Sequence, residues 1–172
     1  MTADVLGKLF ESYSQYYTVK TEGVEAPFAA EAEFSSHTEQ YMLVKAAKIA
    51  DIDSNEFVYF FSGGNISAEK IAELSSAAWN AGLAKTKPAY GHRNTDITLI
   101  VAADSLANGV EKTVRKIKFY KSYKFGFFGW SCFRLCVYDD SSRKCFTNRF
   151  GRDLQKLFIS FNKNSFQEEK SR

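Results

Sequence analysis

Apolar residues recur along this chain with two different spacings, and each spacing predicts a different kind of element. Near-helical spacing predicts helices over residues 4–17, 67–83, 106–115 and 152–160. Continuous or alternating apolar runs predict strands over residues 57–61, 97–101 and 116–125, followed by a hairpin of strands at 131–139 and 143–149. Residues 39–50 fit helix or strand, and the turn at 51–55 favours a hairpin here.

The order of these elements predicts the fold class. The segment Ser62–Asn65, with two glycines, is expected to end the strand at 57–61, and Ser67 is a natural cap for the next helix. A strand, a helix and another strand favour a right-handed crossover, so the strands at 57–61 and 97–101 are expected to be parallel. We predict an α/β fold, with α+β as the alternative. It has a mixed sheet of five or six strands, a C-terminal antiparallel hairpin and flanking helices.

Composition sets the class of protein. The chain has 172 residues, of which 45% are hydrophobic and 16% aromatic, enough to bury a core. We expect one globular domain over residues 1–161 and a frayed polar tail over 162–172. The sequence shows no apolar run long enough to span a membrane and no secretory signal at its start, and its three cysteines are too few for a disulfide scaffold. A cytoplasmic protein that does not enter a membrane is therefore expected.

Charge is distributed unevenly along the chain. The formal net charge is +3, yet residues 1–60 hold ten acids and four bases, whereas residues 111–172 hold fifteen bases and six acids. Seven bases and no acid lie between Glu111 and Asp139. The basic third either faces an anionic partner or is neutralised by the acidic first third within the fold.

The predicted C-terminal hairpin contains two arginines that are candidates for binding an anion. If Asp140 and Ser141 form its turn, Cys136 faces Cys145 and Arg134 faces Thr147. Arg134 and Arg149 then share a sheet face as a candidate anion-binding pair, because a guanidinium matches carboxylate or phosphate. The alternative is that both arginines pair with the protein's own acids or lie on a solvated face. The cysteines are expected to be packed thiols.

Residues 115–130 alternate basic and aromatic side chains. Lys116, Lys118, Lys121 and Lys124 are interleaved here with phenylalanine, tyrosine and tryptophan. Lysines follow a phosphate backbone and aromatic rings stack on unpaired bases, so this pattern is typical of a surface that binds single-stranded nucleic acid. The alternative is an amphipathic strand that packs its apolar side, including Phe125, on the core and leaves its lysines in solvent.

Residues typical of catalysis or of a metal site are few. The only histidines, His37 and His92, have no metal-ligand spacing to a cysteine, so neither a metal nor another cofactor is predicted. The Gly63–Gly64 turn lacks the pattern of a phosphate-binding loop, and the one Glu-x-Lys motif lies in the tail. A hydrolase-like site around His37 and His92 remains an alternative, and its other catalytic residues are unknown.

Three stretches carry a family resemblance: Ser36–Tyr41 through Phe57–Tyr59, Thr95–Leu99, and Gly129–Trp130 through Thr147–Arg149. In these stretches the chain resembles small bacterial proteins of uncharacterised function. The resemblance implies a bacterial, cytoplasmic origin, and it carries over no activity and no site residue.

These observations favour a non-catalytic domain that binds an anionic partner, either nucleic acid or an acidic protein. The candidate anion-binding residues are Lys116, Lys118, Lys121, Lys124, Arg134 and Arg149. A homo-oligomer is a further alternative, in which acidic residues 22–56 of one copy meet basic residues 112–134 of another.

Overall fold

The computed structural model describes residues 2–35 and 53–159. Its helices are α1 (Thr2–Ser14), α2 (Ala68–Lys85) and α3 (Val110–Lys116). Its strands are β1 (Thr18–Lys20), β2 (Ala30–Ser35), β3 (Asp53–Ile66), β4 (His92–Leu106), β5 (Tyr120–Ser122), β6 (Trp130–Asp139) and β7 (Lys144–Thr147). Short 3-10 helices occupy Lys124–Gly126 and Arg149–Leu154, and helix continues over 155–159. The ambiguous segment 39–50, His37 and the tail 162–172 lie outside the described residues.

The seven described strands form one mixed sheet in the order β1-β2-β3-β4-β6-β5, with β7 also beside β6. Strands β3, β4 and β6 are parallel, and the others pair antiparallel with their neighbours. The α/β class, the mixed sheet, the flanking helices and the C-terminal hairpin are therefore confirmed. The sheet has more strands than the five or six predicted. One strand that was not predicted is β2, whose buried positions include the small residues Ala30 and Ala32. Alternation between alanine and glutamate gives only a weak hydrophobic pattern.

Both faces of the parallel strands are buried, which explains why their sequences are nearly continuous apolar runs. The α2 face is covered by α2 and α3, and its sheet residues are Phe57, Tyr59, Ile97, Leu99, Val101, Ala103, Phe133, Leu135 and Val137. The α1 face is covered by α1 and the last described helix, and its sheet residues are Ala30, Ala32, Val58, Phe60, Ile100, Ala102, Cys136 and Tyr138. Among the described residues, no helix is long and apolar enough to cross a membrane.

Helix α2 connects β3 to β4 as predicted. The hydroxyl of Ser67 caps the helix by accepting the N–H of Lys70 at 3.2 Å. Gly82 lies so close to β4 that a Cβ there would meet the Ile97 side chain at 2.6 Å. The two strands that the helix joins are parallel, which confirms the predicted arrangement.

Strand β3 does not end at the Ser62–Asn65 segment, and that prediction is wrong. The strand continues to Ile66 because Ser62, Gly63 and Asn65 pair with Ala102, Ala103 and Ser105 of β4. A glycine pair lowers strand propensity, but a long parallel neighbour offers hydrogen bonds that outweigh it.

The register of the C-terminal hairpin also differs from the prediction. Cys136 pairs with Thr147 rather than with Cys145, because the connection spans residues 140–143. Asp139 explains the longer turn: its carboxylate accepts the backbone N–H and hydroxyl of Ser141 and the hydroxyl of Ser142. Burial opposes the charge, yet these hydrogen bonds hold the pKa of Asp139 below its usual value. The predicted alternation of faces survives, with Phe133, Leu135 and Val137 on the α2 face.

The side chain of Asn148 joins three segments at the outer edge of β6. Its Oδ1 accepts the N–H of Leu135 at 3.0 Å and of Gly151 at 2.9 Å. Its Nδ2 donates to the carbonyls of Phe133 at 2.9 Å and Ile117 at 3.2 Å. The amide therefore uses two donor and two acceptor positions, all in the gap between β5 and β7. Asn148 fixes the start of the 149–154 helix against the sheet.

We predict that Asn148→Asp lowers the free energy of unfolding by about 2 kcal/mol or more, because Oδ2 would face the carbonyl oxygens of Phe133 and Ile117 without a proton to donate. Urea unfolding followed by circular dichroism measures the change. Asn65→Asp is the matched control, since Asn65 is exposed and accepts one hydrogen bond, from Ser105. It should change stability by less than about 0.5 kcal/mol. Equal losses in the two variants would contradict the role of Asn148.

Candidate functional site

The six predicted anion-binding residues fall into two groups in the structure. Five are exposed and have no ion pair with any carboxylate within residues 2–35 and 53–159: Lys116, Lys118, Lys121, Lys124 and Arg149. The sixth, Arg134, is only 12% exposed and is paired with the protein's own carboxylates. Of the six predicted residues, Arg134 is therefore neutralised within the protein, and the other five side chains are open to solvent.

Arg134 lies on the α1 face, where three carboxylates surround its guanidinium. Nη1 donates to Oε1 of Glu56 at 2.7 Å and lies 3.9 Å from Oδ2 of Asp96, and Nη2 donates to Asp153. Burial disfavours the charged form, but Glu56, Asp153 and Asp96 together raise the pKa of Arg134 above its usual value. Arg134 is therefore not free to bind an outside anion. It also does not share a β7 ladder with Arg149, which lies beyond the end of that strand.

Glu56 organises the same cluster by accepting three hydrogen bonds. Its donors are Arg134, the hydroxyl of Thr98 at 2.6 Å and the hydroxyl of Tyr17 at 2.5 Å. Burial and the negative charge of Glu56 raise the pKa of Tyr17 far above its usual value, so this phenol remains a donor. An adjoining cleft of about 400 Å³ is lined in part by Tyr13, Tyr16 and Tyr17. With its carboxylate fully engaged, the cluster is suited to holding the chain after α1 against three strands.

Cys132 lies beside this cluster and is a poor nucleophile. Its thiol donates to Oδ1 of Asp96 at 3.2 Å. Burial, followed by the negative charge of Asp96 and this hydrogen bond, raises the pKa of Cys132 to about 12. Because the thiolate is the reactive form, the site favours an inert thiol.

The other two cysteines are in contact despite the shifted register. Sγ of Cys136 lies 3.0 Å from Sγ of Cys145, and both cysteines are free thiols. Burial, and then the contact with Cys145, raises the pKa of Cys136 well above its usual value. Within residues 2–35 and 53–159, no three His, Cys, Asp or Glu side chains are grouped to hold a metal ion.

Residues 123–129, which we call the aromatic loop, join β5 to β6 and present two phenylalanine rings to solvent. Phe125 is fully exposed and Phe127 is 82% exposed. Lys124 and Phe125 have φ angles of 47° and 53°, in the left-handed region that residues with a side chain rarely adopt. The prediction that Phe125 packs on the core with the rest of the apolar side of this segment is therefore wrong. Ile117 and Phe119 do pack on the core, but Phe125 is directed into solvent.

His92 and Gly129 hold the aromatic loop in place. The ring of His92 contacts the carbonyl of Phe128 at 2.6 Å through Nδ1, which must donate there, and the hydroxyl of Thr95 at 2.8 Å through Nε2. Gly129 has a φ of 74°, and a Cβ there would lie 2.2 Å from the carbonyl oxygen of Arg93. Both nitrogens of His92 are therefore engaged in structure. The other residue of the hydrolase-like alternative, His37, lies outside the described residues.

Two lysines and two further rings lie in or next to the loop at the edge of the sheet. Tyr120 pairs with Cys132 and Ser122 pairs with Trp130, so the exposed rings of Tyr120 and Trp130 lie on one face of this short ladder. Nζ of Lys121 lies 5.6 Å from the ring centre of Tyr123. We give the name lysine–aromatic surface to the exposed lysines and large exposed rings of residues 116–130, which are Lys116, Lys118, Lys121, Lys124, Tyr120, Phe125, Phe127 and Trp130.

Arg149 occupies a separate place, in a cleft of about 320 Å³ between the end of α3, β7 and the 149–154 helix. Arg115 and Arg152 line the same cleft. Their convergence could not be read from the sequence, because it depends on the hairpin register and on the helix that follows β7. The one available signal was the recurrence of arginine at positions 149 and 152.

Comparison with known proteins gives one match. The model of a family described as Domain of unknown function (DUF8052) matches residues 2–160. No curated protein and no solved structure matches the chain.

The two arginines of the predicted pair should differ in their effect on stability. Arg134→Met leaves the largely buried Glu56 without its cation and should lower the free energy of unfolding by about 3 kcal/mol. Arg149→Met, at an exposed position, should change it by less than about 0.5 kcal/mol. Thermal and urea unfolding measure both values. A second substitution, Glu56→Gln in the Arg134→Met background, should recover part of the loss. Similar stabilities for the two single variants would contradict the buried network.

Cys132 should react slowly with an alkylating reagent. At pH 8, a thiol with a pKa of about 12 is almost wholly protonated, so iodoacetamide should modify Cys132 about a thousandfold more slowly than in the denatured chain. Mass spectrometry of peptides gives the rate. Asp96→Asn removes a negative charge, should lower the pKa of Cys132 and should increase that rate. A native rate close to the denatured one would show that the thiol is neither buried nor held by Asp96.

Proposed function

The chain belongs to the family described as Domain of unknown function (DUF8052), and we propose that it is a non-catalytic domain that binds single-stranded nucleic acid. The lysine–aromatic surface is the proposed interface. The observation that carries the proposal is the exposure of Phe125 and Phe127, next to a left-handed turn at Lys124 and Phe125 and to lysines that form no ion pair with a carboxylate of residues 2–35 and 53–159.

The presence of lysine at this edge has a simpler explanation than ligand binding, but that explanation does not account for the exposed aromatic rings. Strand β5 is the last strand on its side of the described sheet, and lysine on an edge strand prevents pairing with another chain. A fully exposed phenylalanine has the opposite effect, because it increases the tendency to associate. The combination therefore supports a surface kept for a ligand that has both charge and flat apolar groups.

Single-stranded nucleic acid has both features. Its phosphates attract lysine ammonium groups, and its unpaired bases stack on aromatic rings without strict sequence preference. An acidic protein, the other predicted partner, would satisfy the lysines but offers few flat groups for four exposed rings. For this reason we favour nucleic acid, and RNA in particular can present unpaired bases in loops.

The remaining alternatives have less support. Both ring nitrogens of His92 are occupied, so it offers no free base for a hydrolase-like site. The homo-oligomer pairs acidic residues 22–56 of one copy with basic residues 112–134 of another, but Glu56 and Arg134, the last residues of these segments, already form an ion pair within a single copy. A cytoplasmic location is part of the proposal, and the three free thiols are in keeping with a reducing compartment.

A titration with fluorescently labelled 12-nucleotide RNA and DNA at several salt concentrations tests the proposal. We expect affinity to fall steeply with salt. Lys121→Gln with Lys124→Gln should weaken binding and reduce the slope of log K against log salt by about 1.4, since each lysine neutralises one phosphate. Phe125→Ala should weaken binding by about 1–3 kcal/mol with an unchanged slope, because it removes stacking and not charge.

The matched control replaces lysines outside the surface. Lys20 lies on β1 at the opposite edge of the sheet, and Lys87 follows α2, and both are exposed. Lys20→Gln with Lys87→Gln should leave the affinity nearly unchanged. If no oligonucleotide binds at low salt, or if the control pair weakens binding as much as the surface pair, the proposal fails. Binding of polyglutamate in place of RNA would assign the surface to an acidic protein.

A further inference from the structure

We infer that the cleft lined by Arg115, Arg149 and Arg152 binds a phosphomonoester group. The cleft has a volume of about 320 Å³, and its other lining residues are Cys145, Phe146, Thr147, Asn148 and Gln155. It is separate from the Arg134 cluster and from the aromatic loop. The inference goes beyond the proposed function, because a phosphate can bind here whether or not a nucleic acid strand binds at the lysine–aromatic surface.

The charge of the cleft matches a dianion. Three guanidinium groups line it, and among the described residues the carboxylate paired with any of them is Glu111, which accepts from Arg115 at 2.6 Å. Arg115 and Glu111 are both more than half exposed, so their pair is weak and open to competition. Asp153 is adjacent in sequence to Arg152, but it is engaged by Arg134. The cleft therefore keeps about two positive charges, and a phosphomonoester carries about two negative charges at neutral pH.

The backbone that carries these arginines is rigid. Asn148 accepts the N–H of Gly151 and of Leu135, which fixes the 149–154 helix on the edge of β6. A Cβ on Gly151 would lie 2.6 Å from the carbonyl oxygen of Leu135, so the two segments are in close contact. Arg149 and Arg152 project from this fixed turn, so the backbone positions from which their side chains extend are set before a phosphate binds, and each guanidinium offers a planar fork to phosphate oxygens.

The volume of the cleft and its uncharged lining residues further restrict the chemical class of the ligand. The volume admits a phosphate with an attached group about as large as a sugar. The hydroxyl of Thr147 and the amide of Gln155 offer polar contacts to such a group. A carboxylate would bring one negative charge where the cleft presents about two. The phosphomonoester is therefore the chemistry that the cleft fits best.

Two sources of this group are compatible with the position of the cleft. The carbonyl of Ile117 accepts from Nδ2 of Asn148, so the segment that carries Lys116 and Lys118 begins beside the cleft. The phosphate can thus be the terminal phosphate of a strand held along those lysines, or it can belong to a small phosphorylated molecule.

The test uses the full chain with inorganic phosphate, ribose 5-phosphate, and one 12-nucleotide RNA with either a 5′-phosphate or a 5′-hydroxyl. Calorimetry gives the affinities, and NMR of arginine Nε–Hε signals reports whether Arg149 and Arg152 are contacted. We expect inorganic phosphate and ribose 5-phosphate to bind and to shift these signals. Arg149→Gln and Arg152→Gln should each weaken binding about tenfold, the effect of one charge-assisted hydrogen bond. Arg143→Gln, at an exposed position in the 140–143 turn, is the control and should have no effect.

The two RNAs identify the source. If the 5′-phosphate binds more tightly than the 5′-hydroxyl and Arg149→Gln removes the difference, the cleft holds the end of a strand. If ribose 5-phosphate binds and the RNAs do not differ, the ligand is a small phosphorylated molecule. If neither phosphate probe binds and the RNAs bind equally, the inference is overturned while the lysine–aromatic surface still stands. If the phosphate probes bind and neither RNA binds, the phosphate site in the cleft is supported and the proposed function is contradicted.

Discussion

The outer edge of β6 is the constraint on which the rest of the structure depends. One side of this strand completes a parallel ladder with β4, and the other side is shared by two short antiparallel strands, β5 and β7. Between them, the N–H of Phe133 donates to the carbonyl of Phe119, and the backbone N–H of Asn148 donates to the carbonyl of Leu135. The side-chain amide of Asn148 binds the N–H of Leu135 and the carbonyl of Phe133. Both surfaces for which we propose ligands are attached to this edge, one through β5 and one through β7. A buried asparagine therefore sets the spacing between them.

Local geometry decides which charges are neutralised inside the molecule. Within residues 2–35 and 53–159, an acid of the first third and a base of the last third form an ion pair where β3, β4 and β6 run side by side. There Glu56 and Arg134 share the α1 face and are shielded from solvent. Lys116 ends α3, and Lys118, Lys121 and Lys124 follow it on the outer side of β6, whereas β2, with its two glutamates, lies several strands away. Sheet order thus separates a structural cation from the exposed ones.

The sequence was sufficient to predict elements that carry strong apolar patterns, and insufficient wherever a side chain competes with the pattern. Helix α2, its serine cap and the parallel pair β3–β4 follow from periodicity and chain connectivity alone. The hairpin register depended instead on hydrogen bonds from Asp139 to Ser141 and Ser142, which lengthen the turn. The outward direction of Phe125 depended on two left-handed residues that no local rule indicates. For the same reason, Arg134 and Arg149 could be named as candidates but not distinguished, since burial of one depends on a glutamate 78 positions earlier.

The left-handed turn in the aromatic loop also has a kinetic consequence. Because His92 and Gly129 hold this loop, its rings already extend into solvent before any ligand arrives. A ligand that meets such a surface needs no opening step, so encounter is governed by diffusion and by attraction between opposite charges. Ionic strength would then change mainly the association rate constant, and contacts with the rings would set mainly the dissociation rate constant.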